Sequence, residues 1–502
     1  MYATRTLYVP GEYATIQAAI DASVPGDEIL VADGTYSGTG NKNLDYHGKP
    51  ITVRSASGNP AVCIIDCQGN GRGFYFHSRE TAAAVVDGFT IRNGHVTDSS
   101  AGQVCGGGVY CTSSSPTLTN CAIIANTASS PHSLVYGGGV YCCFSSATLT
   151  DCTISGNDAS SGDYVAYGGG VYCSFSSNPI LTNCRISGNR ASAPAYVAYG
   201  GGVYCGDSSN PSVTNCTITG NKALAVSGSA FGGGVACDWD SSPTLTSCIL
   251  WGDTPQETYV ASGTPVVTYC DIQGSYAGVG NINLNPLFFD PDGPDNNPNT
   301  WQDNDYRLSP GSPCIDAGKN SAVPAGVTTD LDGHPRFADD PASPDCRYAP
   351  GTCGTPPIVD MGAYELIPAP PIPGDLDGDY DVDGADFAVF LAAYGRCTGY
   401  PLYNAAADLN GDGCVTLVDY QQWLQAYRDF NGDPFAPPPQ PSDLGDVNGD
   451  GAVNGIDVQA FVEVLLNPGE ATLRERFVTD FNGDGESDAA DVAGFVQVLV
   501  AK

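Results

Sequence analysis

Gly137-Gly138-Gly139-Val140-Tyr141-Cys142, followed by Thr148-Leu149-Thr150-Asp151-Cys152-Thr153-Ile154-Ser155-Gly156-Asn157, is the stretch on which the fold turns. Its Gly-Gly-Gly-Val core occurs five times, ending at Val109, Val140, Val171, Val203 and Val235 at spacings of 31, 31, 32 and 32 residues. A Cys follows each Val by two residues, and a second Cys follows the first by ten or eleven. The apolar residues fall in short period-two runs, punctuated by Gly, Ser, Pro and Asn. A helix pair would need apolar residues at 3.6-residue spacing, and none shows it. One repeat is too small to bury its own apolar face, so copies must stack and share a core. The spacing therefore predicts a mainly β chain built as a parallel β-solenoid, each coil rising by about 4.8 Å, the distance between strands.

Composition bounds the partners. The 502 residues hold 55 Asp+Glu against 19 Lys+Arg, a net charge of -36. Nucleic acid and anionic membranes bind through basic patches, so neither is expected. No apolar run is long enough for a transmembrane helix. Twenty Cys point to an oxidising, extracellular compartment. Met1-Tyr2-Ala3-Thr4-Arg5 shows no apolar signal segment, so that expectation rests on the cysteines. In the repeats we expect five disulfides, each within one coil: Cys111–Cys121, Cys142–Cys152, Cys173–Cys184, Cys205–Cys216 and Cys237–Cys248. Two inward thiol ladders are the alternative. Cys63–Cys67 and Cys397–Cys414 are further local pairs.

Two surface features follow from the alternation. Tyr110, Tyr141, Tyr172 and Tyr204 lie between an inward Val and an inward Cys, so they point outward and stack coil on coil, as a candidate glycan-stacking face. Tyr136, Tyr167, Tyr199 and Phe231 form a second ladder just before the glycines. For catalysis the candidates are Asp207, Asp238 and Asp240, near equivalent points of successive coils, with solvated turn acids as the alternative.

After Pro368–Pro373, a stiff linker, the composition changes. Residues 374–502 carry 23 acids and 5 bases, half of the total net charge. The acids recur as twelve-residue loops of the kind that give calcium its six to eight oxygens. The first offers Asp375, Asp377, Asp379, Asp383 and Asp386; the second Asp408, Asn410, Asp412, Thr416 and Asp419. The third offers Asp446, Asn448, Asp450, Asn454 and Asp457; the fourth Asp480, Asn482, Asp484, Asp488 and Asp491. Position seven adds a backbone carbonyl from Asp381, Cys414, Ala452 and Glu486. Gly413, Gly451 and Gly485 make the tight turn at position six, where the first loop has Tyr380. Up to four calcium ions are expected. Each loop leads into a short apolar helix, with none of proper length before it.

Val9-Pro10-Gly11-Glu12-Tyr13-Ala14-Thr15-Ile16-Gln17-Ala18-Ala19-Ile20, with Asp33-Gly34-Thr35-Tyr36, resembles the opening of the pectate-lyase-like, right-handed parallel β-helix superfamily. Its Tyr13–Ala22 stretch reads as a helix plugging the first coil. Pro286-Leu287-Phe288, Leu308–Gly318 and Asp360-Met361-Gly362-Ala363-Tyr364-Glu365 resemble the closing segment of surface β-helix proteins. Loop plus exiting helix in tandem resembles the type I dockerin family. The resemblances imply a β-helix over 1–285, its closing segment over 286–367, the linker over 368–373, dockerin-like modules over 374–428 and 443–502, and a Pro-rich linker over 429–442. They also imply docking onto cohesin domains through helix residues beside loop positions ten and eleven. Here those are Gly384-Ala385, Leu417-Val418, Gly455-Ile456 and Ala489-Ala490, without the Ser-Thr pair of the cellulosomal type. The β-helix superfamily holds lyases, hydrolases, adhesins and inert scaffolds. The leading expectation is an extracellular, calcium-binding scaffold that assembles with a cohesin-type partner or with its own copies as a fibre or surface layer. A dockerin-borne polysaccharide lyase or glycoside hydrolase, and a glycan-binding adhesin, are the alternatives.

Overall fold

The computed structural model describes residues 4–97, 103–297, 300–367 and 384–431, then 455–466 and the single positions 374, 376, 382, 447, 479, 492, 495 and 496. The chain divides into two compact units, Met1–Ile367 and Pro368–Lys502.

In the first unit each coil lays successive strands on separate parallel sheets. The first sheet has ten strands, from Thr6–Val9 to Val266–Thr268, and the second has nine, from Gly34–Ser37 to Asp271–Ile272. The third has seven, from Phe74–Phe76 to Thr258–Val260, one from each of seven coils. Five coils insert an excursion between the second and third sheets, which builds two further five-stranded sheets. Pairing is parallel and in register, with Val109, Tyr110 and Cys111 beside Val140, Tyr141 and Cys142. Equivalent residues therefore stack into ladders. Val140, Leu149 and Ile154 point inward in one coil, and their equivalents fill the continuous core above and below. Helix α1 (Ile16–Ala22) covers the first coil with Ile16, Ala19 and Ile20 buried, and the Thr15 side chain accepts the Ala18 N–H at its start.

The triple glycine has a steric cause. The first of each trio takes a left-handed φ, such as +65° at Gly137. A Cβ on the second, Gly138, would lie 2.5 Å from the Asp158 carbonyl carbon of the excursion. The third abuts an asparagine ladder, where Asn126, Asn157, Asn189 and Asn221 are all buried. Each side-chain amide donates to the carboxamide oxygen of the next, at 2.9–3.0 Å, and to a backbone carbonyl of the preceding coil. Asn221 donates to Asp253 Oδ1 at 2.9 Å, which ends the ladder on a carboxylate.

The five expected intra-coil disulfides are absent. Cys111, Cys121, Cys142, Cys152, Cys173, Cys184, Cys205, Cys216, Cys237 and Cys248 are all free and buried. The ten- or eleven-residue spacing spans a turn and a strand of the first sheet, such as Thr117–Thr119. The two Cys of one coil thus stand on different walls of the core, while parallel register stacks each on its equivalent in the next coil. These are the two thiol ladders of the alternative reading. Cys63 and Cys67 are likewise free. The disulfides present are Cys346–Cys353 and the expected Cys397–Cys414.

In the second unit, helices α2 (Gly384–Ala393), α3 (Leu417–Asn431) and α4 (Gly455–Leu466) follow the first three loops. Four residues past each loop's twelfth position stands an aromatic ring, and these rings meet in pairs. Phe390 and Trp423 have centroids 6.4 Å apart, and Phe461 and Phe495 stack at 4.0 Å.

Candidate functional site

The twelve-residue acidic loops are described in part. Asp375, Asp377, Asp379, Asp381, Asp383, Asp446, Asn448, Asp450, Ala452, Asn454, Asp480, Asn482, Asp484, Glu486, Asp488 and Asp491 lie outside the described residues. The twelfth residues of the first three loops, Asp386, Asp419 and Asp457, are fully buried in the first turns of α2, α3 and α4.

The second loop is described throughout. Asp419 Oδ1 accepts the Asn410 N–H at 2.9 Å, and its Oδ2 accepts the Thr416 N–H at 2.8 Å and hydroxyl at 3.0 Å. Asp408 accepts the N–H groups of Asp412 and Gly413 and the Tyr403 hydroxyl. Burial opposes the Asp408 charge, but the Tyr403 hydroxyl and three loop N–H groups hold its carboxyl below the usual range. Asn410 donates to Asp412 Oδ2 at 2.9 Å. The donor set of Asp408, Asn410, Asp412, the Cys414 carbonyl, Thr416 and Asp419 is all oxygen, and no ion pair joins its acids among the described residues. Hard oxygens with uncompensated negative charge fit calcium. A bound ion would supply the positive charge that these carboxylates lack, and the Cys397–Cys414 disulfide fixes position seven of the loop.

The solenoid candidates fare differently. Asp207, Asp238 and Asp240 sit at the turn from the third sheet to the first, with Asp207 and Asp240 at left-handed φ of +53° and +59°. Burial and then the Asp238 charge raise the Asp207 carboxyl. Asp238 accepts the Trp239 N–H within the turn.

The tyrosine ladder is not an open glycan face. Tyr141, Tyr172 and Tyr204 are buried, at 7%, 5% and 3% exposure, with Tyr110 half-buried above them. They stack 4.9–5.4 Å apart. The excursion folds its own ladder of Tyr136, Tyr167 and Tyr199 over them, with Tyr167 and Tyr204 at 4.7 Å. Outward from the sheet is here inward to a second core.

A polar pocket of about 520 Å³ went unread in the sequence. The closing segment lays Asp305, Arg307, Asp332, His334 and Tyr364 over Arg185, on the strand Arg185–Ser187 of the second sheet. Arg185 Nε is buried without a hydrogen-bond partner. Burial opposes the Asp305 charge, yet Arg307 keeps that carboxyl low; burial and Asp330 raise Asp332. Arg185 stands more than 100 positions before the other five, so no spacing announced them.

A family model described as "Right handed beta helix region" matches residues 51–283, and one described as "Dockerin type I domain" matches 444–496, within the second expected module. A solved structure titled "Crystal structure of pectate lyase Pel9A" is 16% identical over 73% of this chain and 97% of that chain, with a TM-score of 0.37. That likeness is too slight to inform the site. No curated protein matches the chain.

Proposed function

We propose that this chain, a right-handed β-helix protein with a C-terminal dockerin domain, is an extracellular or cell-surface scaffold whose second module docks onto a cohesin partner once calcium orders its loops. A dockerin implies a cohesin-type partner, and no helix among the described residues is long and apolar enough to cross a membrane. Up to four ions would occupy the four loops.

The observation that carries the reading is a contrast at equivalent positions. One and five residues past the twelfth loop position stand Val458 and Val462, then Val492 and Val496. All four are exposed, at 37%, 43%, 39% and 47%. The equivalents after the second loop, Tyr420 and Leu424, are buried. An apolar pair repeated on both halves of one module is a surface to be covered. The first module spends the same positions on its own core, and we assign it a supporting role. The filled solenoid interior and the covered tyrosine ladders suit a rigid spacer.

The test is size-exclusion chromatography with light scattering on the full chain mixed with a type I cohesin domain. A stoichiometric complex in calcium, lost in EDTA and in Val462→Asp, is expected. No complex under any condition overturns the docking assignment, and calcium-dependent multimers of the chain alone would replace it with self-assembly.

The pocket under the closing segment favours a second reading, action on a polysaccharide. Its paired cations and acids suit an anionic sugar. Turnover or binding in a screen of plant and algal polysaccharides, lost in Arg185→Ala and Asp332→Asn, would support it.

A further inference from the structure

We propose a structural calcium site in the closing segment, held by Asp316, Asp339 and Asp345, at which one divalent cation pins the 339–346 loop to the end of the β-helix. A carboxylate oxygen from each of the three lies within 4.8 Å of the others. Two calcium–oxygen bonds of about 2.4 Å span that separation.

Asp316 is fully buried, and its Oδ1 has no hydrogen-bond partner. Its other groups are committed. Oδ2 accepts the Asp340 N–H at 3.3 Å, and its backbone carbonyl accepts the Cys346 N–H at 2.7 Å. Those two bonds drape the loop over Asp316 and set Asp339 and Asp345 beside the carboxylate, each just before a bonded residue.

The surrounding charge has one sign. Asp339 and Asp345 crowd the buried Asp316 carboxylate, and Asp360 Oδ1 accepts the Asp316 N–H at 2.8 Å. The buried cation of this segment, Arg336, lies against Glu365 at 3.1 Å and donates to the carbonyls of Asp360 and Gly362. A buried carboxylate among acids is costly without a counter-charge. All-oxygen donors select a hard cation, and the two exposed acids leave room for water to complete its shell.

The place gives the ion a task. Asp316 follows Cys314 and Ile315, which pack with Ile249 and Tyr269 of the solenoid, and Lys319 and Gly362 donate to Ser247, just after the first sheet's next-to-last strand, Thr244–Thr246. The Cys346–Cys353 disulfide begins at the loop's last residue. A cation on Asp316 would tie that disulfide-bonded segment to the solenoid core.

Calcium bound by the full chain is counted by equilibrium dialysis, beside Asp316→Asn and Asp345→Asn. Each variant is expected to bind one ion fewer than the parent, and Asp345→Asn, at an exposed position, keeps the fold. Melting gives a second readout. Without calcium Asp316→Asn should melt above the parent, because the amide needs neither a counter-charge nor the proton that a buried carboxyl crowded by acids must take up; with calcium it should melt below. Trypsin cleavage after Arg347 should be slowed by calcium in the parent and not in Asp345→Asn. Asp419→Ala, in the dockerin-like loops, should change the ion count without changing Arg347 protection. Equal ion counts in parent and both variants, or calcium-independent cleavage after Arg347, would overturn the site whatever the dockerin loops bind.

Discussion

Replacing Asn189 by Ala should weaken the solenoid at mid-length far more than any exposed asparagine does. Asn189 Nδ2 donates to Ile154 O at 2.8 Å and to Asn221 Oδ1 at 2.9 Å, and its Oδ1 accepts Asn157 N–H at 3.0 Å and Asn157 Nδ2 at 2.9 Å. Truncation removes all four bonds and leaves two backbone groups of the preceding coil, Ile154 O and Asn157 N–H, without this partner in a place water cannot reach. A buried polar group left without its partner costs about 1–3 kcal/mol. Two such groups put the loss at roughly 2–6 kcal/mol. Asn210 is the control, since it is exposed while its Oδ1 also accepts the Ser242 N–H of the next coil's turn at 2.6 Å and its Nδ2 donates to Ser208 O at 3.2 Å. Water replaces its bonds, so Asn210→Ala should stay within about 0.5 kcal/mol. Urea unfolding followed by the far-ultraviolet circular dichroism of the sheets measures both. With a slope of about 3 kcal/mol per molar, the Asn189→Ala midpoint should fall by roughly 1–2 M. Coincident midpoints for Asn189→Ala and Asn210→Ala would refute the claim that the buried ladder holds the coils together.

Other outcomes can be stated as directly. Denatured, non-reduced chain should yield 16 reactive thiols, and native chain almost none, if the Cys ladders are free; ten fewer would restore the intra-coil disulfides. Burial and the neighbouring Asp253 charge raise Glu257, and burial raises Asp253, so the fold keeps a proton there that the unfolded chain releases. Stability from this pair is complete below the ordinary carboxylate range and is lost as pH rises through the folded-state values, by up to about 1.4 kcal/mol per pH unit for one proton. Glu257→Gln should flatten that slope between pH 5 and 8; Asp271, Asp316 and Asp360 are also raised, so the difference from the parent is the diagnostic quantity. Calcium removal should redden the emission of Trp423, buried in α3 and donating to Gly374 O at 2.8 Å, and Asp419→Ala should reproduce it. Val496→Asp should abolish cohesin capture while Val418→Asp, on the first module, leaves it unchanged.

Much of the architecture was legible because a repeat prints its geometry in period and alternation. Gly-Gly-Gly-Val at 31–32 residues specified stacked coils, and Thr15 before Ile16, Ala19 and Ile20 specified the plug. The twelve-residue loops were legible for a similar reason, since ligand geometry fixes which positions carry oxygen. What failed was the direction in which a repeated residue finds its neighbour. Cys111 and Cys121 are near in sequence, but the nearest equivalents of Cys111 and Cys142 are the cysteines one coil away. Tyr141 and Tyr172 face outward from their sheet as read, yet the excursion covers them.

Sequence by itself determined the parallel solenoid and the end plug and marked out the acidic twelve-residue loops, because period, alternation and residue spacing are local properties of a chain. Only the tertiary structure decided whether cysteines pair or stack, whether tyrosines are surface or core, and which acids meet at Asp316 and in the Arg185 pocket. Those depend on segments brought together across one coil rise, by the folding of the closing segment on itself, or, for Arg185, across more than a hundred residues, and none of these separations leaves a mark in local order.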